Sequence, residues 1–148
     1  MNIKIVPFQN LALEELYNIL KLRSEIFVVE QDCIYNDPDG ADLDAHHLIA
    51  SEKGKIIGTA RIFAPGIKHE ESSFGRLGIL EDYRERGYAH DLVKEIHSFI
   101  KQQHGNVPVR IEAQVHLRAF YSRHGYVAEG ASYNLDDIEH IQMLRPGF

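Results

Sequence analysis

The chain has 148 residues, 44% of them hydrophobic and 26% charged, the size and balance of one globular domain able to bury a core. Its formal net charge of −6 argues against a general nucleic-acid binder, which needs a basic stripe, and leaves room for a cationic small substrate. Cys33 is the single cysteine, so no intrachain disulfide forms. With no secretory h-region after Met1 and no apolar run of membrane-spanning length, the expectation is a cytoplasmic protein with no membrane partner.

Residues Asn2 to Val6 alternate apolar and polar and predict a strand that Pro7 ends. Asn10 is the candidate cap of a helix running to about Glu30. That helix would carry Leu13, Leu16, Tyr17, Leu20 and Phe27 on one face and Glu14 and Glu15 in its first turn. From Glu30 to Asp44 the chain holds Glu30, Asp32, Asp37, Asp39, Asp42 and Asp44 and no Lys or Arg. Either this is a solvated acidic loop or it is a negative mouth that attracts a protonated amine. The spacing lacks the sixth-position Gly and twelfth-position Glu of an EF-hand, which sets calcium aside.

His47 to Glu52 and Lys55 to Phe63 predict two antiparallel strands turned by Lys53-Gly54, and Lys68 to Ser73 a polar loop. A short strand around Phe74, Leu77 and Ile79 follows. Next comes a turn, Arg84-x-x-Gly87-x-Ala89, that opens a helix with Tyr88, Ala89, Leu92, Val93, Ile96, Phe99 and Ile100 at helical spacing, ending at Gly105. The first N–H groups of such a helix lack partners and carry partial positive charge, so small residues there let a pyrophosphate approach the backbone, with Arg84 and Arg86 adding charge. Gly78 inside the strand signals a bulge or a close approach of ligand to backbone. Val107 to Gln114 alternates strictly and is expected parallel to the Phe74–Ile79 strand, because a long helix joins them. A short helix from Leu117, closed by Gly125, leads to two last strands near Val127 to Tyr133 and Ile138 to Leu144, with a turn at Asn134 to Asp137. An exposed edge there would let two copies pair as a homodimer. His90, His97 and His104 recur every seven residues rather than at i, i+4, which predicts a wet helix face and no metal.

The Arg84-x-x-Gly87-x-Ala89 turn after an apolar strand resembles the acetyl-coenzyme A pyrophosphate loop of the GNAT superfamily of N-acetyltransferases. Phe120-Tyr121-x-x-x-Gly125-Tyr126 resembles the same family's helix after the second parallel strand. Leu22-Arg23-x-x-x-Phe27-Val28-Val29-Glu30-Gln31-x-Cys33, with Tyr35-x-Asp37-x-Asp39-Gly40-x-Asp42, is similar to the N-terminal signature of its ElaA-like branch. Gly58-Thr59-Ala60-Arg61, Gly75-Arg76, Ala113-Gln114-x-His116-Leu117 and His140-Ile141-x-Met143 extend the likeness over nearly the whole chain. The departures are Ile34, where a proline is common, and His90-Asp91-Leu92, where small or amide residues are frequent.

The resemblance implies a single α+β, GNAT-like domain over residues 1–148: a mixed, mostly antiparallel sheet flanked by helices, with one parallel strand pair splayed around the acyl-coenzyme A site. It implies direct transfer of the acetyl group of acetyl-coenzyme A to an amine of a small molecule or peptide, with Tyr121 protonating the departing thiolate. The donor would lie on Leu77, Gly78, Ile79, Arg84, Glu85, Arg86, Gly87, Tyr88 and Ala89. A backbone N–H around Leu77 to Ile79 would polarise the carbonyl. Arg23, Phe27, Gln31, Gln114, His116 and His140 would face the acceptor. The base that deprotonates the amine is to be found among Glu30, Asp37, Asp39, His116 and His140, with Glu30 the first choice. Two other functions compete: a coenzyme A-binding sensor that has lost catalysis, and an unrelated nucleotide-binding αβ protein. The latter is disfavoured because the chain has no P-loop Gly-Lys-Ser/Thr and no acid placed for ribose.

Overall fold

The structure, a computed structural model, describes residues 1–148. Strand β1 (Asn2–Pro7) is followed by helix α1 (Leu13–Arg23), which widens without a break into a π-helical stretch over Ser24–Glu30. Strands β2 (His46–Glu52), β3 (Lys55–Phe63) and β4 (Ser73–Ile79) come next, then helix α2 (Tyr88–His104) and strand β5 (Val109–Gln114). Helix α3 (Arg118–Ser122) and strands β6 (Val127–Leu135) and β7 (Ile138–Arg145) complete the chain. The order β1-β2-β3-β4 makes one antiparallel sheet and β5-β7-β6 a second. The two meet as parallel neighbours only where β4 and β5 begin, through a Ser72–Val109 bridge with Arg110 N–H donating to the Ser72 carbonyl at 2.9 Å. Beyond that bridge the parallel pair separates. The α+β architecture and the splayed pair are as the family resemblance implies.

The core is built by period. β5 buries Val109, Ile111 and Ala113 and turns Arg110, Glu112 and Gln114 the other way, the two-residue alternation of a half-buried strand. α2 buries Val93 and packs Leu92, Ile96 and Ile100 into one cluster with Leu48, Ala60, Ile62 and Phe74 of the sheet. Each of these aliphatic side chains contributes about 1.5–3 kcal/mol by leaving water.

Helix α1 departs from expectation at both ends. Asn10 lies in a short 3-10 turn, and the helix is capped at Ala12, whose N–H donates to Glu15 Oε1 at 2.9 Å. Leu13 and Tyr17 are exposed, and the buried face is Ile19, Leu22, Arg23, Ile26 and Phe27. Taking Arg23 as polar hid the true stripe, because its guanidinium is satisfied inside the protein.

The histidines of α2 depart as well. His97 is half-buried, with Nε2 2.8 Å from the Tyr126 hydroxyl, and His90 Nδ1 lies 2.8 Å from His124 Nε2. Burial lowers the pKa of His97 to about 4 from an ordinary 6.5, and lowers those of His46, His47 and His124 as well. A histidine whose folded pKa is depressed contributes stability that is whole above about pH 6.5 and is lost as pH falls, because only the unfolded chain takes up the proton. The melting temperature is therefore expected to fall between about pH 6.5 and 4, and less steeply in His97→Gln. A flat profile over that window in the wild type would contradict the burial.

Candidate active site

Between the separating strands lies a continuous cleft of about 560 Å³. Of the predicted donor-side residues, Leu77, Gly78, Ile79, Arg84, Glu85, Gly87, Tyr88 and Ala89 border it; Arg86 does not. The bulge in β4 is displaced from its expected place at Gly78. Thr59 pairs with Gly78 and Arg61 with Gly75, so Arg76 and Leu77 face the single residue Ala60, and Arg76 has a φ of 49°. Such a bulge leaves an extra residue outside the ladder. Gly78 answers to packing instead: a Cβ there would stand 3.0 Å from Phe27 Cζ and 3.1 Å from Ile26 Cδ1. The π-helical end of α1 presses its side chains against β4 at this point.

At the start of α2, Glu85 and Gly87 have φ of 64° and 78°, and the first intrahelical bond runs from Asp91 N–H to the Gly87 carbonyl. The N–H groups of Gly87, Tyr88, Ala89 and His90 thus precede any i−4 acceptor. They form an anion-type cradle at the positive end of a 17-residue helix. The arginines expected beside it are engaged within the protein. Arg84 donates from Nε to the Ile79 carbonyl at 2.9 Å and forks onto Glu30 at 2.7 and 2.9 Å. Arg86 lies over the Tyr83 ring and 3.6 Å from Glu52. Nothing stands within 4 Å of a Cβ at Gly87. Gly87→Glu is therefore expected to cost the fold only roughly 1–3 kcal/mol of left-handed strain, while its carboxylate removes measurable coenzyme A binding in a calorimetric titration. Unchanged affinity in a folded variant would remove the phosphate-loop assignment.

Tyr121 is 7% exposed, borders the cleft, and its hydroxyl has no hydrogen-bond partner within the chain. Burial alone pushes the phenol above its ordinary pKa, so it is a neutral donor at all physiological pH. Phe74, Phe120 and Tyr126 surround the ring at centroid distances of 6.2, 5.0 and 6.0 Å.

The residues expected to face an acceptor, Phe27, Gln31, Gln114, His116 and His140, border the same cleft, and so does Glu30. Gln31 and Gln114 exchange amide hydrogen bonds of 3.3 and 3.4 Å from opposite walls. Glu30, the first-choice base, has both of its oxygens engaged by the Arg84 fork. Arg23 is displaced from acceptor binding. It is 1% exposed and lies outside the cleft, with Nε 2.8 Å from Asp37 and Nη1 2.7 Å from Asp42.

Arg61 forks onto Asp39 at 2.7 Å twice and reaches Asp42 at 3.1 Å, while Arg76 donates to Asp37 at 2.8 Å. Three of the acids in the stretch are thus drawn out of solvent-facing roles into ion pairs, while Asp32 and Asp44 stay exposed. Asp37, Asp39 and Asp42 meet Arg23, Arg61 and Arg76 in a charge-balanced knot. Arg61 holds the Asp39 carboxyl below the ordinary carboxylate range. Asp42 is also held low, by Arg23 and Arg61 against the opposing effect of its burial.

Sequence reasoning missed several lining groups: Tyr83, His90, Glu112 and the Leu135–Asp136 hairpin tip. The tip is tied down by the Cys33 thiol, which donates to the Asp136 carbonyl at 2.9 Å across 103 residues. The alternation of β5 placed Glu112 on the same side as Gln114 and was the one available signal.

Comparison with known proteins agrees with this geometry. Residues 24–145 match the model of the acetyltransferase (GNAT) domain. A UPF0039 protein of Mycobacterium tuberculosis is 37% identical over 143 residues, covering 94% of this chain and 89% of its own. The crystal structure of an acyl-CoA N-acyltransferase from Pseudomonas aeruginosa superposes with a TM-score of 0.92 at 37% identity, over 97% of this chain and 98% of that one. That of Escherichia coli ElaA gives 0.90 at 30% identity over the same shares. A splayed parallel pair, a bulged β4 and an open helix start on one cleft are what a chain of this ancestry needs to hold an acyl-coenzyme A, and the protein belongs to the GNAT acetyltransferase family, in its ElaA-like branch.

Proposed function

We propose that the protein transfers the acetyl group of acetyl-coenzyme A directly to the amine of a small molecule or peptide, in the cytoplasm, with Tyr121 as general acid. The observation that carries this reading is Tyr121 itself. A neutral phenol with no partner in the chain borders the same cleft as the open start of α2. The pyrophosphate would rest on the N–H groups of Gly87 to His90, and the pantetheine arm would lie between β4 and β5. The carbonyl oxygen would meet an N–H freed by the bulge at Arg76–Leu77. Holding thioester and amine side by side supplies much of the rate without a covalent enzyme intermediate. Cys33 has no part in the chemistry: its thiol is buried, bonded to a carbonyl, and pushed up in pKa by burial and by Asp136, Asp137 and Asp32.

The test is coenzyme A thiol release from acetyl-coenzyme A against a panel of primary amines, amino acids and peptides. Release that depends on one class of amine is the expected result. Tight donor binding with no release on any amine would favour a sensor.

A further inference from the structure

A base must take a proton from the amine during transfer, and the structure narrows the choice. Glu30 is held by Arg84, and Asp37 and Asp39 are held by Arg23, Arg61 and Arg76. His116 is exposed on the 3-10 turn after β5, with no bond that orients its ring.

His140 is different. It lies on β7, paired with Gln114 of β5 on one side and Tyr133 of β6 on the other. Its Nδ1 is 2.8 Å from the Ile138 carbonyl oxygen. A carbonyl only accepts, so Nδ1 carries the proton of the neutral ring and Nε2 keeps its lone pair. The Tyr133 ring stacks on the imidazole at 6.2 Å and 25°, and the Tyr133 hydroxyl donates to Glu112 Oε1 at 3.2 Å. The stack and the Nδ1 bond together fix the ring's rotation. Nε2 has no partner in the chain, and the residue borders the same cleft as Tyr121.

We propose that His140 Nε2 is the general base of the transfer. The assignment rests on the acyl-transfer reading above. As the amine nitrogen bonds to the thioester carbon, its proton passes to Nε2. As the carbon–sulfur bond breaks, the thiolate takes the Tyr121 proton. Exchange with solvent returns the imidazolium and the phenolate to their starting forms, so that amine and thioester become amide and thiol with no other reactant.

Two measurements test this. Long-range proton–nitrogen correlation on histidine-labelled wild type should show the neutral His140 ring protonated at Nδ1; protonation at Nε2 would overturn the assignment. With acetyl-coenzyme A and the amine of highest turnover in the panel, His140→Gln should lower kcat by about 10²–10³ at unchanged donor affinity. Added imidazole should restore part of the rate to His140→Ala. An active wild type whose His140→Gln variant keeps its kcat, or only raises KM, would overturn the base alone. A wild type inert on every amine would sink the acyl-transfer reading and the base with it.

Discussion

Tyr121→Phe is expected to lower kcat by roughly 10²–10⁴ while leaving acetyl-coenzyme A affinity and melting temperature near those of the wild type. The substitution removes one oxygen that makes no hydrogen bond in the chain, and keeps the ring packed by Phe74, Phe120 and Tyr126. The fold therefore has little to lose. On the proposed mechanism, the reaction loses its proton donor at the moment the carbon–sulfur bond breaks. A thiol in water has a pKa near about 8.5 and a phenol near about 10. Burial raises both, so the phenol still holds its proton until the desolvated thiolate develops beside it. A variant with unchanged kcat would hand the role to water or to another group.

Arg23→Ala is expected to destabilise the fold by about 3–5 kcal/mol, read as a lower urea midpoint at unchanged slope. Arg23 is the one cation of the knot on α1. It donates to both Asp37 and Asp42, and from Nη2 to the Asp37 carbonyl at 3.2 Å. Removing it leaves Asp37 to Arg76 and Tyr35, and Asp42 to Arg61, with a void where a fully buried guanidinium stood. Breaking a buried ion pair from one side costs far more than the pair contributes, since the partner's charge stays buried. Arg23→Lys should rescue little, because an ammonium cannot fork across two carboxylates. A loss below about 1 kcal/mol would mean that the loop over Tyr35–Asp42 reorganises without cost.

The parts of the molecule legible in the sequence were those set by local chemistry. Strict alternation placed β5, turn residues placed the Lys53-Gly54 hairpin and, within Asn134 to Asp137, the last one, and Gly87 with the helical run behind it placed the open start of α2. What stayed hidden depends on partners far along the chain. The acids at 37, 39 and 42 read as a charge run because nothing local announces that Arg23, Arg61 and Arg76 converge on them. For the same reason the buried face of α1 was read through Leu13 and Tyr17 rather than through Arg23. The seven-residue spacing of His90, His97 and His104 suggested a wet face, yet the turn after α3 and the C-terminal segment cover two of them with His124, Tyr126 and Phe148. Tyr121 was legible through resemblance alone. Its lack of a hydrogen-bond partner, which makes it available to a ligand, is a fact of tertiary packing.

The central claim is that this cleft moves an acetyl group from coenzyme A to an amine nitrogen. It is tested most directly by giving the protein acetyl-coenzyme A labelled in the acetyl carbons, with each amine of the panel, and following the label by mass spectrometry. The account predicts that the label appears on the amine in step with free coenzyme A thiol, and that Tyr121→Phe slows both equally. Label that stays on coenzyme A with every amine, or thiol release that yields only free acetate, would contradict it.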